Sequence, residues 1–154
     1  MAVEVCTTAA TATAQMQWTI NPWSALASGA DQPTVSPVMK ISRLGHEVDV
    51  VFKIYPGGNP HSAHRDADES AKQYVAIYLS FQSATESVVD MKRISATVRV
   101  VNWLDSARGR CHTIHNWHDA LAGKARGWPY FIRQDQLSDE SYGWKKDDGV
   151  VIEA

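Results

Sequence analysis

The feature that most constrains this chain is a strict two-residue alternation over Gln73–Phe81. Val75, Ile77, Leu79 and Phe81 fall on one side of it, and Tyr74, Ala76, Tyr78 and Ser80 fall on the other. Successive side chains of an extended strand point to opposite faces, whereas an amphipathic helix repeats its apolar residues three and four apart. The segment therefore reads as a strand. Its aliphatic face belongs to a core, and its other face is half polar, with two tyrosines standing side by side.

Segments of the same kind recur along the chain. Glu47–Tyr55 is rich in branched and aromatic residues and ends in the turn chemistry of Pro56-Gly57-Gly58-Asn59-Pro60. Met91–Asn102 places Ile94, Ala96, Val98 and Val100 on one face. Gln17–Ile20, Val38–Ile41, Gly109–Trp117, Trp128–Arg133 and Gly149–Ala154 bring the count to eight. Ser83–Ser87 reads as a turn and His61–Ser70 as an exposed polar loop. Gln134–Tyr142 reads as a loop or helical turn anchored by Leu137, and His118–Leu121 is the one other place for a helical turn. Regularly spaced strands with turn signals between them predict an all-β fold, an antiparallel eight-stranded sandwich. Residues 1–15 are mostly Ala and Thr and read as a disordered tail, which leaves 16–154 as one domain.

Composition narrows the function classes. The chain has 154 residues, 15 Lys plus Arg against 17 Asp plus Glu, and a net charge of −2. Phosphate neutralisation calls for a basic face, so bulk charge does not predict a nucleic-acid partner. No run approaches the ~18 apolar residues of a membrane span. Two cysteines, Cys6 and Cys111, form no disulfide framework. These features predict a cytoplasmic or nuclear setting. With no a/d heptad in residues 1–15, an isolated monomer is expected.

Six pieces of the sequence, in order, carry a resemblance. They are Trp18-Thr19-Ile20-Asn21-Pro22-Trp23-Ser24, Ser36-Pro37 before an apolar strand, Phe52-Lys53-Ile54-Tyr55-Pro56-Gly57-Gly58, Tyr74-Val75-Ala76-Ile77-Tyr78-Leu79, Gly127-Trp128-Pro129-Tyr130-Phe131-Ile132, and Asp147-Asp148 before the last strand. Together they resemble the MATH family, the meprin and TRAF homology domains. The resemblance implies an eight-stranded antiparallel sandwich that captures short extended segments of partner proteins in a shallow groove on one sheet. It also implies a place in ubiquitin-related or signalling assemblies.

Carried over position by position, the resemblance implies a peptide-binding set of Tyr78, His118, Lys124, Arg126, Gly127 and Trp128. Several positions depart from the family pattern. Val50 and Arg126 stand where tryptophans are usual, Ala96 replaces a phenylalanine, His118 a tyrosine and Ala125 an aspartate. The groove is thus expected with an altered peptide preference. Lys124 and Arg126 beside Trp128 would favour an acidic or phosphorylated motif. Each residue also has a plainer reading. Tyr78 can cap a sheet face, Trp128 can be core, and the two cations can be a solvated loop. Trp18 and Trp23 read as core, and Trp103 and Trp144 as closing the ends of the sandwich.

The run Cys111-His112-Thr113-Ile114-His115-Asn116-Trp117-His118-Asp119 contains ligand types that zinc accepts. On a strand, however, His112 and His118 share one face and His115 takes the other, so no metal or other cofactor is expected. No Gly-x-Ser-x-Gly, His-Glu-x-x-His, Walker or dinucleotide glycine pattern occurs. Cys111 and His112 are strand neighbours that point apart, which a nucleophile and its base cannot do. A binding module rather than an enzyme is expected, with a self-associating scaffold domain as the alternative.

Overall fold

The computed structural model describes residues 14–27, 32–43, 46–59, 73–83, 94–117 and 125–154. Residues 1–13 of the tail expected over 1–15, the loop 61–70, most of the turn expected at Ser83–Ser87, the helical turn at His118–Leu121, and the residues Cys6, His118 and Lys124 lie outside them.

The described chain forms β1 (Gln17–Ile20), α1 (Trp23–Ala27), β2 (Thr34–Val35), β3 (Met39–Arg43), β4 (His46–Tyr55), β5 (Tyr74–Ser83), β6 (Ile94–Val100), β7 (Arg110–Trp117), β8 (Ala125–Arg133), α2 (Gln134–Ser138) and β9 (Val150–Glu153). All strand pairs are antiparallel. One sheet runs β1-β9-β6-β7; the other runs β2-β4-β5-β8, with β3 also on β4. The fold is therefore the predicted sandwich, with nine strands among the described residues rather than eight. The additional strand, β2, is two residues long, too short to show an alternation. Gln134–Tyr142 is helical as expected: α2 is followed by a 3-10 turn at Glu140–Tyr142, and Leu137 is buried. Among the described residues no helix is long and apolar enough to cross a membrane.

The core lies between the sheets. β4 contributes Val50, Phe52 and Ile54, β5 contributes Val75, Ile77, Leu79 and Phe81, and β6 contributes Val98 and Val100. Ile114, Phe131, Ile132, Val150 and Ile152 close around them. Each large apolar side chain removed from water contributes roughly 1.5–3 kcal/mol. Trp23 is buried and Trp18 stacks on Phe52, with centroids 6.3 Å apart, so both are core residues. Trp144 is buried too. Trp103 departs from expectation. It is 48% exposed, and the Lys146 ammonium sits 5.7 Å from its ring centre. The reason is the buried Asn102 beside it, which donates to the Tyr142 carbonyl and accepts from the Leu104 and Asp105 amides. With Asn102 turned inward to serve these groups, its neighbour faces out.

A two-residue hairpin turn closes the sheet before β9. Lys146 and Gly149 exchange both backbone hydrogen bonds, and Asp147 and Asp148 sit at φ 51° and 57°. That left-handed pair matches the twist of the flanking strands, and Asp tolerates it better than most residues. The turn also fastens α1. The Asp148 carboxylate accepts from the Ser24 amide at 3.1 Å and from the Ser24 hydroxyl, and the Asp148 carbonyl accepts from the Trp23 amide. A side chain 124 residues distant in sequence thus serves as the cap of a five-residue helix. Asp148→Ala is expected to destabilise the domain by about 1–2 kcal/mol. A shift of the urea midpoint at unchanged slope reports it, and an unmoved midpoint contradicts it.

Candidate functional site

β5 positions the tyrosines. Its register partners on β4 place Lys53 opposite Tyr78 and Tyr55 opposite Ala76, all on the face away from the core. Tyr78 and Tyr55 meet edge to face with centroids 5.8 Å apart, a favoured aromatic geometry. Tyr74 makes the same contact with Tyr130 of β8 at 5.3 Å. The expected side-by-side pair of Tyr74 and Tyr78 is thus two separate pairs. Residues four apart on a strand are about 13 Å apart, so each ring finds its partner on a neighbouring strand. The outer face is also less open than expected. Ala76 and Ser80 are fully buried there, while Tyr74 and Tyr78 are half-buried.

The Tyr78 hydroxyl accepts a hydrogen bond from the Asn59 side-chain amide at 3.1 Å, which leaves its own proton to donate. Burial pushes that hydroxyl above its ordinary pKa; Asn59 offsets this in part and Tyr55 adds to it. Burial raises Tyr55 likewise. Both rings are neutral donors at physiological pH. Tyr55, Asn59 and Tyr130 were not among the expected site residues. The strand and turn running through Tyr55 and Asn59, and the Gly127–Ile132 piece that holds Tyr130, marked them in the sequence only as parts of motifs.

β8 carries the other expected residues. Gly127 stands opposite Tyr78, and Arg126 opposite Leu79. A Cβ at Gly127 would lie 2.1 Å from the Ile77 carbonyl oxygen and 2.5 Å from the Tyr78 Cα. The glycine therefore lets two backbones approach more closely than any side chain allows. This close approach is a structural role beyond the peptide contact expected of it.

Trp128 stands opposite the buried Ile77 and so does not share a face with Tyr78. Its half-buried ring lies 5.4 Å from His112 of β7 and 5.7 Å from Phe131, at the seam between the two sheets. Trp128 is thus on the core side, not beside the tyrosine on an outer groove. Between Val75↔Ile132 and Ile77↔Trp128 the β8 side holds two extra residues, with Pro129 among them. This bulge breaks the alternation, so Trp128 and Phe131, three apart, both face inward.

The expected set therefore divides. Tyr78 and Gly127 lie on the outer face, exposed Arg126 and half-buried Trp128 take the alternate positions of β8, and His118 and Lys124 fall outside the described residues. What Arg126, Gly127 and Trp128 share is the strand edge itself. Among the described residues β8 has a strand partner, β5, on one edge alone, the position at which sheets receive added strands.

Cys111 is free and exposed while His112 turns inward. Among the described residues no group of three or more His, Cys, Asp or Glu side chains is placed to hold a metal ion.

No protein-family profile matches the chain, and no curated protein matches its sequence. Its fold does match solved structures. Notothenia coriiceps TRAF5 superposes with a TM-score of 0.66 over 90% of this chain and 70% of that one, at 15% sequence identity. The chain thus has a TRAF-like β-sandwich fold.

Gly127→Ala is expected to cost about 3 kcal/mol, because the obstacle is backbone rather than a movable side chain. Chemical denaturation measures it; a loss within experimental error contradicts the close-approach account.

Proposed function

We propose that this domain is a non-catalytic protein-interaction module that captures a short extended segment of a partner along the free edge of β8. The observation that carries the reading is the division of the candidate residues between two faces of one edge strand. A peptide added beside β8 exchanges backbone hydrogen bonds with it and directs alternate side chains to opposite sides. One set then reaches Tyr78 over Gly127, where no side chain intervenes. The other set reaches Arg126 and Trp128. Two further facts support the reading: the sequence pieces that resemble the MATH family, and the likeness of fold to TRAF5.

Tyr78 supplies a rigid ring and a hydroxyl proton at low entropic cost. Exposed Arg126 gives β8 a cationic side chain that suits an acidic or phosphorylated segment; in the sequence Lys124 precedes β8 and His118 follows β7. A segment of about five to seven residues buries little area. The expected affinity is therefore about micromolar, roughly −8 kcal/mol. An adaptor in a ubiquitin-related or signalling assembly is the setting that the resemblance implies.

A peptide array probed with the isolated chain identifies binders for titration. Tyr78→Ala is expected to weaken the best of them by about 2 kcal/mol, roughly thirtyfold, while Trp103→Ala, at a different loop, leaves affinity unchanged. Equal affinity for wild type and Tyr78→Ala removes the reading. An array without binders, joined to light scattering that shows a dimer, favours the self-associating scaffold instead.

A further inference from the structure

β7 and β8 are the edge strands of different sheets, and no backbone ladder joins them among the described residues. Side chains hold this seam. His112 reaches from β7 to β8, with its ring 4.8 Å from Phe131, edge to face, and 5.4 Å from Trp128 at a tilt of 32°. Arg110, two residues earlier on β7, donates through Nε to the Phe131 carbonyl at 3.3 Å. The Phe131 main chain also lies near enough to the imidazole to favour its charged form in part. Its Nε2 is buried and has no hydrogen-bond partner. Neutral imidazole leaves a lone pair at that atom, at modest cost. Protonated imidazole would leave a buried N–H without an acceptor and a cation beside the Arg110 guanidinium.

We propose that His112 is a pH-sensitive latch on the β7–β8 seam, which closes it when neutral and loosens the β8 edge when Nε2 takes a proton from water. The groups around the ring make this one-sided. β6 meets it with Val98, its register partner. β8 meets it with Trp128 and Phe131, neither titratable. Among the described residues the one charge acting on the ring is Arg110, and it repels. Trp128's π face offers an imidazolium some attraction. Burial first, and Arg110 second, nevertheless depress the imidazole pKa below its ordinary value, with the Phe131 main chain pulling the other way.

The sign follows. The unfolded chain binds this proton more readily than the folded one, so stability from the seam is full above about pH 6.5 and declines as pH falls toward the depressed value. For capture along β8, which rests on the function proposed above, the consequence is weaker binding in mildly acidic surroundings.

The test needs no ligand, so its outcome is separate from that of peptide capture. The isotope-labelled full chain is titrated by NMR, and amide exchange, corrected for intrinsic rates, is compared at pH 7.5 and 5.5. His112 is expected to titrate below about 6.5. Protection of the Ala125–Phe131 amides, Pro129 having none, is expected to fall on acidification by up to about tenfold at pH 5.5, while the β1–β9 amides hold. His112→Phe keeps an aromatic ring without the proton and is expected to abolish the change. His112→Met serves the same comparison if the phenylalanine variant fails to fold. The other histidines remain in both variants, so a loss of β8 protection that persists in them overturns the proposal. Wild-type protection that is flat with pH overturns it equally.

Discussion

Everything else in this structure depends on β5 being covered on both faces. Inward, Val75, Ile77, Leu79 and Phe81 are buried against the second sheet; outward, Ala76 and Ser80 are fully buried as well. Apolar burial supplies the inward half of that constraint. The outward half comes from neighbours: Tyr55 across from Ala76 on one side, and β8, drawn in by Gly127, on the other. A strand enclosed in this way leaves few positions for recognition, and Tyr78 is one of them. Its ring is fixed by Tyr55 and its hydroxyl by Asn59 before any partner arrives. Such pre-organisation reduces the ordering cost of binding.

The same constraint explains why β8 matters more than its length implies. Among the described residues it is the last strand of its sheet, and its alternate residues serve two purposes. Gly127 joins it closely to β5, and Trp128 joins it through His112 to the opposite sheet. The strand is therefore closely joined to β5 on one edge, and among the described residues no strand pairs with the other, where the proposed segment would add. Its tie to β7 is made by side chains, which is why one imidazole can govern it.

Much of this was legible in the sequence, because period-two alternation is a direct consequence of strand geometry. The inward set on β5 and the pair Val98 and Val100 on β6 lie where alternation placed them. What alternation missed has physical causes that are long-range or local exceptions to it. β2 is too short to carry a period. α1 is stabilised by Asp148, far away in sequence, so its own residues give little signal. The bulge at Pro129 shifts the phase of β8, so alternation alone leaves Trp128 open between groove and core, and the fold puts its ring on the core side. Trp103 faces solvent because Asn102 is needed inside. Of the candidate site, Tyr78 was legible as an outward aromatic, whereas its partners Tyr55 and Asn59 come from another strand and its following turn, which only the fold brings near.

The central claim is that the free edge of β8 receives an extended segment. The most direct measurement is a proton–nitrogen correlation spectrum of the labelled chain, recorded as a pool of randomised extended peptides is added. The account predicts graded shifts concentrated at Arg126, Gly127 and Trp128 and across the register at Tyr78. Shifts confined to β1, β2 or the loop at Trp103, with β8 unmoved at saturating pool, would contradict it.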